Sequence, residues 1–97
     1  MSAAAKISAR LDGRTVLVVG RAGMDLYPLP DGSTIEAATG FVSDVGGSAG
    51  NIAVALARLG GKAALLSAFS DDAIGRFVMN SLENYSVDTA HCRILTG

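Results

Sequence analysis

Residues 46–61 read GGSAGNIAVALARLGG. A glycine pair opens this segment, a second pair closes it, and the apolar residues between recur at helical spacing. Ile52, Leu56 and Leu59 fall on one stripe, with Ala53 and Ala55 as small neighbours. The pattern predicts a helix that starts at Ser48 and is stopped by Gly60 and Gly61. Apolar runs stand on both sides of it. RTVLVVG (Arg14 to Gly20) is rich in β-branched residues and ends on glycine, and KAALLSAF (Lys62 to Phe69) follows the helix. Neither run alternates with polar residues, which suits strands covered on both faces in a parallel sheet. Strand, helix, strand in that order predicts a right-handed βαβ unit. That places the chain in the α/β class.

The first connection of this unit is long. Residues 21–46 separate strand from helix, where such connections ordinarily take about two to six residues. Pro28 and Pro30 exclude a helix or a central strand there but allow an edge strand. Pro30-Asp31-Gly32 is a turn signal, and Phe41 to Val45 reads as a second short strand. Long connections of this kind are often functional lids. After Phe69, SDDAIGRFVMNSLENY predicts another helix, capped by Ser70 or Asp71, with Ile74, Phe77, Val78, Leu82 and Tyr85 as its buried stripe. Val87 to Leu95 looks like one more strand, and the chain reaches Gly97 in mid-structure. The expected organisation is a flexible N-terminus over residues 1–13 and, over 14–97, part of a larger domain.

Composition supports that expectation. Of the 97 residues, 49% are hydrophobic and 18% charged. A domain of this length buries only about 60–70% of its unfolded surface, so these apolar faces expect more cover than the chain supplies. Net charge is −1, with no run of Lys or Arg and no Trp, which argues against nucleic acid and anionic membranes as partners. The apolar runs are far shorter than the ~20 residues that span a bilayer. The opening MSAAAKISAR lacks the long apolar stretch of a secretory signal. It bears a faint likeness to an organelle transit peptide, and a frayed terminus is the plainer reading. Cys92 is the only cysteine, so no internal disulfide is available and a cytoplasmic setting is expected.

Which residues could carry chemistry? A glycine turn into a helix start directs backbone N–H groups at one spot, where the helix dipole adds partial positive charge. Asn51 adds an amide that both donates and accepts. A phosphate, or a polyol rich in hydroxyls, would suit such a turn; a tight turn with no ligand is the plain alternative. Asp25 follows the first strand, where ligands of open α/β sheets sit, and its carboxylate could accept from two hydroxyls or merely cap a turn. Arg21 could meet an anionic group or stand in solvent. A dinucleotide fingerprint is rejected, because Gly20 and Gly23 have no third glycine and no helix follows directly. There is no phosphate-binding GxxxxGK[ST] motif either. Asp71 and Asp72 read as helix caps rather than metal ligands. His91 reads as a partly buried structural histidine, Cys92 as core, and Met24 and Met79 as packing residues.

The glycine pair Gly46 and Gly47, then Ala49, Asn51, Ala53 and Gly60, up to the acidic pair Asp71 and Asp72, resembles the first signature of the ribokinase/PfkB family of carbohydrate kinases. One departure is Ser70, where the family usually has Gly. The resemblance covers nearly all of the chain after residue 14. It implies a ribokinase-like fold, of which this chain would be the N-terminal βαβ part of a doubly wound sheet, with a small β lid inserted at about 21–46. It implies that Asp25 and Asn51 bind substrate hydroxyls, that Gly46 and Gly47 form a hinge close to the sugar, and that Arg21 reads a substrate carboxylate. The Gly-Arg-x-Gly-x-Asp-Leu-Tyr-Pro run at 20–28 points within the family to a kinase of a small sugar acid. A homodimer through the lid is also implied. The family's second signature, a Gly-Ala-Gly-Asp helix start, supplies the anion hole and the catalytic Asp, and it does not occur here. The expectation is therefore no catalytic residue and no metal ligand in this chain. ATP and Mg2+ are implied by the family, with their site outside it. On this reading the 97 residues alone have no kinase activity. A non-catalytic polyol-binding or dimerisation module, or a gene remnant, are the alternatives.

Overall fold

A computed structural model describes residues 2, 3, 5, 6 and 13–96. The expectation of a flexible N-terminus therefore falls mostly outside the described residues. The elements run β1 (Thr15–Val19), β2 (Gly23–Leu29), β3 (Gly40–Gly46), α1 (Ser48–Arg58), β4 (Lys62–Leu66), β5 (Ala68–Ser70), α2 (Ala73–Asn84) and β6 (Arg93–Leu95).

β1 and β4 pair in parallel, from Thr15 opposite Lys62 to Val19 opposite Leu66, and α1 lies between them in sequence. This is the expected βαβ unit. The long connection is an antiparallel hairpin, with Gly23 opposite Gly46 and Leu29 opposite Gly40. Both weak strand signals were thus real, and among the described residues Pro28 sits in a strand with one partner.

The single strands expected over 62–69 and 87–95 are each broken. Ala64 bridges Asp88 and Ala68 pairs with Arg93, all in parallel. Between those pairings the later segment runs from 88 to 93 and the earlier one only from 64 to 68. The extra residue cannot be paired, so the ladder lapses there as at a β-bulge. A turn fills the gap, in which Cys92 N–H donates to the Thr89 carbonyl at 2.9 Å. His91 lies on this turn and is exposed, so the partly buried histidine expected from sequence is corrected. Cys92 packs against the core and its Sγ donates to the Leu65 carbonyl at 3.3 Å.

The core gathers Val18, Val45, Ala53, Ala63, Leu65, Phe69, Val78, Leu82 and Val87. The face that α1 buries differs from the expected stripe. Ala49, Gly50 and Ala53 are buried and Leu56 is partly so, while Ile52 is 54% exposed. Small side chains let the helix backbone approach the sheet, and the bulkier Ile52 is turned away. In α2, Val78 and Leu82 are buried as expected, with Phe77 and Tyr85 partly covered and Ile74 exposed. Its cap is Asp72, not Ser70 or Asp71. The Asp72 carboxylate accepts from Gly75 N–H at 2.8 Å and from the Ser70 hydroxyl at 2.7 Å. Asp71 instead lies 3.8 Å from Arg76 in an exposed ion pair.

The molecule is a thin slab of 45 × 39 × 18 Å, with a radius of gyration of 15.4 Å. A compact domain of this length would have about 12–13 Å. Pairing register explains the thinness. Val18 and Leu65 face α1, while Leu17, Val19 and Leu66 point to the opposite face and stay exposed, Val19 by 66%. Apart from the buried Ala64, the described residues leave that second apolar face largely uncovered.

Truncation of the fully buried Leu82 should cost about 2–5 kcal/mol, because the cavity cannot refill in so thin a core. Ile52→Ala should cost less than about 0.5 kcal/mol. Urea unfolding of the two variants gives both numbers. The Gly75 N–H and then the Ser70 hydroxyl hold Asp72 below the usual carboxylate range. A lowered folded value means that this contribution is complete above the unfolded aspartate range and is lost as pH falls through the folded value. Asp72→Ala should therefore lower Tm at neutral pH and narrow the gap from the parent below the aspartate range. Melting curves across acid pH test this.

Candidate functional site

The end of β1 and the start of α1 meet at Arg21. Its carbonyl accepts from the N–H groups of Ala49 and Gly50, both at 3.2 Å. Two donors of the first helical turn, expected from sequence to face a ligand, are thereby used by the chain itself. No side chain caps α1; its N-cap is Gly47 at φ 83°, ψ 149°. A Cβ there would stand 2.7 Å from the Arg21 oxygen and 2.9 Å from Ala22 Cα. Only glycine fits this junction, both for its φ and for the closeness of Arg21.

Asp25 sits on β2, two residues beyond Gly23, and so shares a hairpin face with Gly46. Its carboxylate lies directly over the Gly46 backbone, where a Cβ would collide with Oδ1 and Oδ2. Arg21, Ala22, Gly23, Asp25 and Gly47 line one hollow of about 250 Å³. It opens beyond the carboxyl end of β1, where open α/β sheets hold ligands. Four of the five residues singled out from sequence, Arg21, Asp25, Gly46 and Gly47, are thus brought together. Asn51 is not in that hollow. It is exposed and lines a neighbouring one with Asp44, Val54, Arg58 and Tyr85.

Sequence reasoning missed Asp44 and both tyrosines. Asp44 is the direct cross-strand partner of Asp25, so two carboxylates face each other across the hairpin. Like charges so placed repel. The Tyr27 hydroxyl donates to Asp25 Oδ2 at 3.4 Å, and Tyr85 donates to Asp44 at 3.2 and 3.4 Å. The negative charge of Asp25, chiefly, then desolvation, the hydrogen bond to Asp25 and the charge of Asp44 raise the Tyr27 phenol above its ordinary range. Hairpin register was the signal available: strands that pair 23 with 46 must place 25 opposite 44.

Among the described residues no group of three or more His, Cys, Asp or Glu lies close enough to hold a metal ion. Asp25 offers an acceptor in a hollow that the exposed Arg21 and bare glycine backbone also line. That combination can grip hydroxyls and an anionic group; by itself it holds no nucleophile paired with a base.

A parallel strand pair joined through a small-residue helix, with a hairpin inserted ahead of that helix and an aspartate set over its closing glycine, makes up the described fold. The chain belongs to the pfkB family of carbohydrate kinases, whose family pattern matches residues 14–97. The fold is the ribokinase-like α/β fold expected from sequence. It is similar to the 5-dehydro-2-deoxygluconokinase of Clostridium tetani (strain Massachusetts / E88), with 45% identity over 73 residues, which is 75% of this chain and 22% of that protein. The chain therefore spans less than a quarter of that relative's length. Among solved structures it is similar to 2-dehydro-3-deoxygluconokinase of Thermotoga maritima, with TM-score 0.76 and 25% identity over 82% of this chain and 24% of that one. It is also similar to an uncharacterized sugar kinase of Pyrococcus horikoshii in complex with ATP, with TM-score 0.72 and 26% identity over 81% of this chain and 26% of that one.

Asp25→Asn should bring the Tyr27 phenol back toward its ordinary value, since the largest cause of its rise is removed. Ultraviolet titration of phenolate resolves this against Tyr85, the only other tyrosine. An unchanged titration would mean that Asp25 does not face Tyr27.

Proposed function

We propose that this chain is the sugar-binding part of an ATP-dependent kinase that acts on a small sugar acid, 5-dehydro-2-deoxygluconate, in inositol breakdown in the cytoplasm. The observation that carries this reading is the Asp25 carboxylate lying on the Gly46 backbone in the same hollow as Arg21 and Gly47. Asp25 accepts from substrate hydroxyls, and the bare glycine backbone lets the sugar ring come close. Arg21 pairs with the substrate carboxylate. Asn51, which lines a separate hollow with Asp44, donates to a hydroxyl once the hairpin has closed over the ligand. The name of the Clostridium tetani relative supports the choice of substrate.

ATP and Mg2+ belong to the whole kinase. Residues 1–97 contain no Gly-Ala-Gly-Asp helix start, and the described residues hold no carboxylate cluster suited to Mg2+. On this reading neither group is held by these residues. Sequence beyond residue 97 would supply the nucleotide site and the catalytic Asp, and the 97 residues alone transfer no phosphate.

The hairpin also favours self-association. Met24 and Val45 on one of its faces pack into the core, while Leu26 and Phe41 continue that face uncovered. A second copy of the hairpin would cover them, giving a homodimer through the lid.

Titration calorimetry with 5-dehydro-2-deoxygluconate tests the reading. Asp25→Ala should weaken binding about 10- to 100-fold, the loss of one or two hydrogen bonds to a charged acceptor. Equal affinity of parent and variant would remove Asp25 from the site. Phosphorylation of any sugar by the 97-residue chain with ATP would overturn the assignment of catalysis to other sequence.

A further inference from the structure

The hairpin is tied to the body at few points. Its two strands leave the body through Gly20–Ala22 and through Gly46 and Gly47, and Gly47 adopts φ +83°. Beyond its base Leu26, Tyr27, Phe41 and Val42 are exposed. Only the base, through Met24 and Val45, packs on the core. What holds such a hairpin at one angle to the body must therefore act near its base.

One polar contact does so. Tyr85, at the C-terminal end of α2, donates its hydroxyl to both oxygens of Asp44, 41 residues away in sequence, at 3.2 and 3.4 Å. Among the described residues this is the only side-chain hydrogen bond between the hairpin and the rest of the molecule. Asp44 Oδ1 also accepts its neighbour's N–H, from Val45, at 2.7 Å, which fixes the carboxylate's orientation. Arg58, in the last turn of α1, places Cζ 5.0 Å from the centre of the Tyr85 ring. Guanidinium, phenol and carboxylate form a chain of alternating polarity that runs from α1 through α2 to β3.

We infer that Tyr85 is a positioning residue: by gripping Asp44 it latches the base of the hairpin onto the helical layer. The latch also answers the repulsion built into the hairpin. Asp44 is opposite Asp25, and an Asp44 carboxylate held by Tyr85 cannot swing toward Gly46 and displace Asp25 from it. Freed of the latch, the hairpin turns about its glycine junctions while the β1–β4 pair stays as it is. The inference is independent of which ligand Asp25 binds.

Amide hydrogen exchange of the chain, read by NMR without any ligand, tests it. In Tyr85→Phe, which keeps the ring under Arg58, amides of β2 and β3 should exchange about five- to tenfold faster, with β1 and β4 amides within about twofold of the parent. Asp44→Leu fills the same space without an acceptor and should behave like Tyr85→Phe. Asp44→Asn retains an acceptor oxygen and should stay close to the parent. The double variant Tyr85→Phe/Asp44→Leu should be no looser than either single one. Equal acceleration of both sheets would make Tyr85 a mere contributor to overall stability and overturn the latch. So would unchanged exchange in Tyr85→Phe, or additive effects in the double variant.

Discussion

The carbonyl of Arg21 is the point on which the rest of the structure turns. It accepts from two N–H groups at the start of α1, and so joins the end of β1 to a helix that begins some twenty-five residues later. Three consequences follow. The helix N-terminus is satisfied without a capping side chain. The intervening residues are expelled as a hairpin. The chain at 47 must pass within van der Waals distance of Arg21, which only a positive-φ glycine permits. The glycine turn is thus first a junction. Alongside it the junction brings an aspartate carboxylate that rests on the Gly46 backbone.

Charge placement on the hairpin follows from the same geometry. Antiparallel pairing that begins at Gly23 and Gly46 sets Asp25 opposite Asp44. Two carboxylates in that relation would loosen the hairpin if both lacked partners. Each has a tyrosine hydroxyl, Tyr27 from the same strand and Tyr85 from α2. Asp25 is left facing the hollow with Arg21, and Asp44 is drawn toward the helices. The two roles differ because the partners come from different elements, although the residues are identical and adjacent in space.

The uncovered face of the β1–β4 pair has an equally simple origin. Leu17, Val19 and Leu66 are apolar because their strands are written as continuous apolar runs, yet the described helix lies on the other side. Parallel strands are ordinarily covered on both faces. Membership of a family whose members are several times longer is consistent with a sheet composed for two layers of cover. The outward Ile52 of α1 fits the same account, since a helix in a larger domain meets neighbours on more than one side.

Much was legible in the residues themselves. A non-alternating strand, a helical stripe bracketed by glycines and a second strand leave little choice but a parallel βαβ unit, because period and chain breaks are local properties of sequence. The diglycine and Asp25 could be singled out because their spacing carries family information, and the fold brings them together. Tertiary structure decided the rest. It turned Ala49 and Ala53 inward instead of Ile52, since closeness of packing outranks side-chain bulk where a helix meets a sheet. It chose Asp72 among the candidate caps of α2, and broke the last strand where one extra residue found no partner. It paired Asp25 with Asp44 and reached Asp44 with Tyr85. No local pattern encodes those last contacts, because they join residues whose proximity exists only once strand register and helix docking have been set.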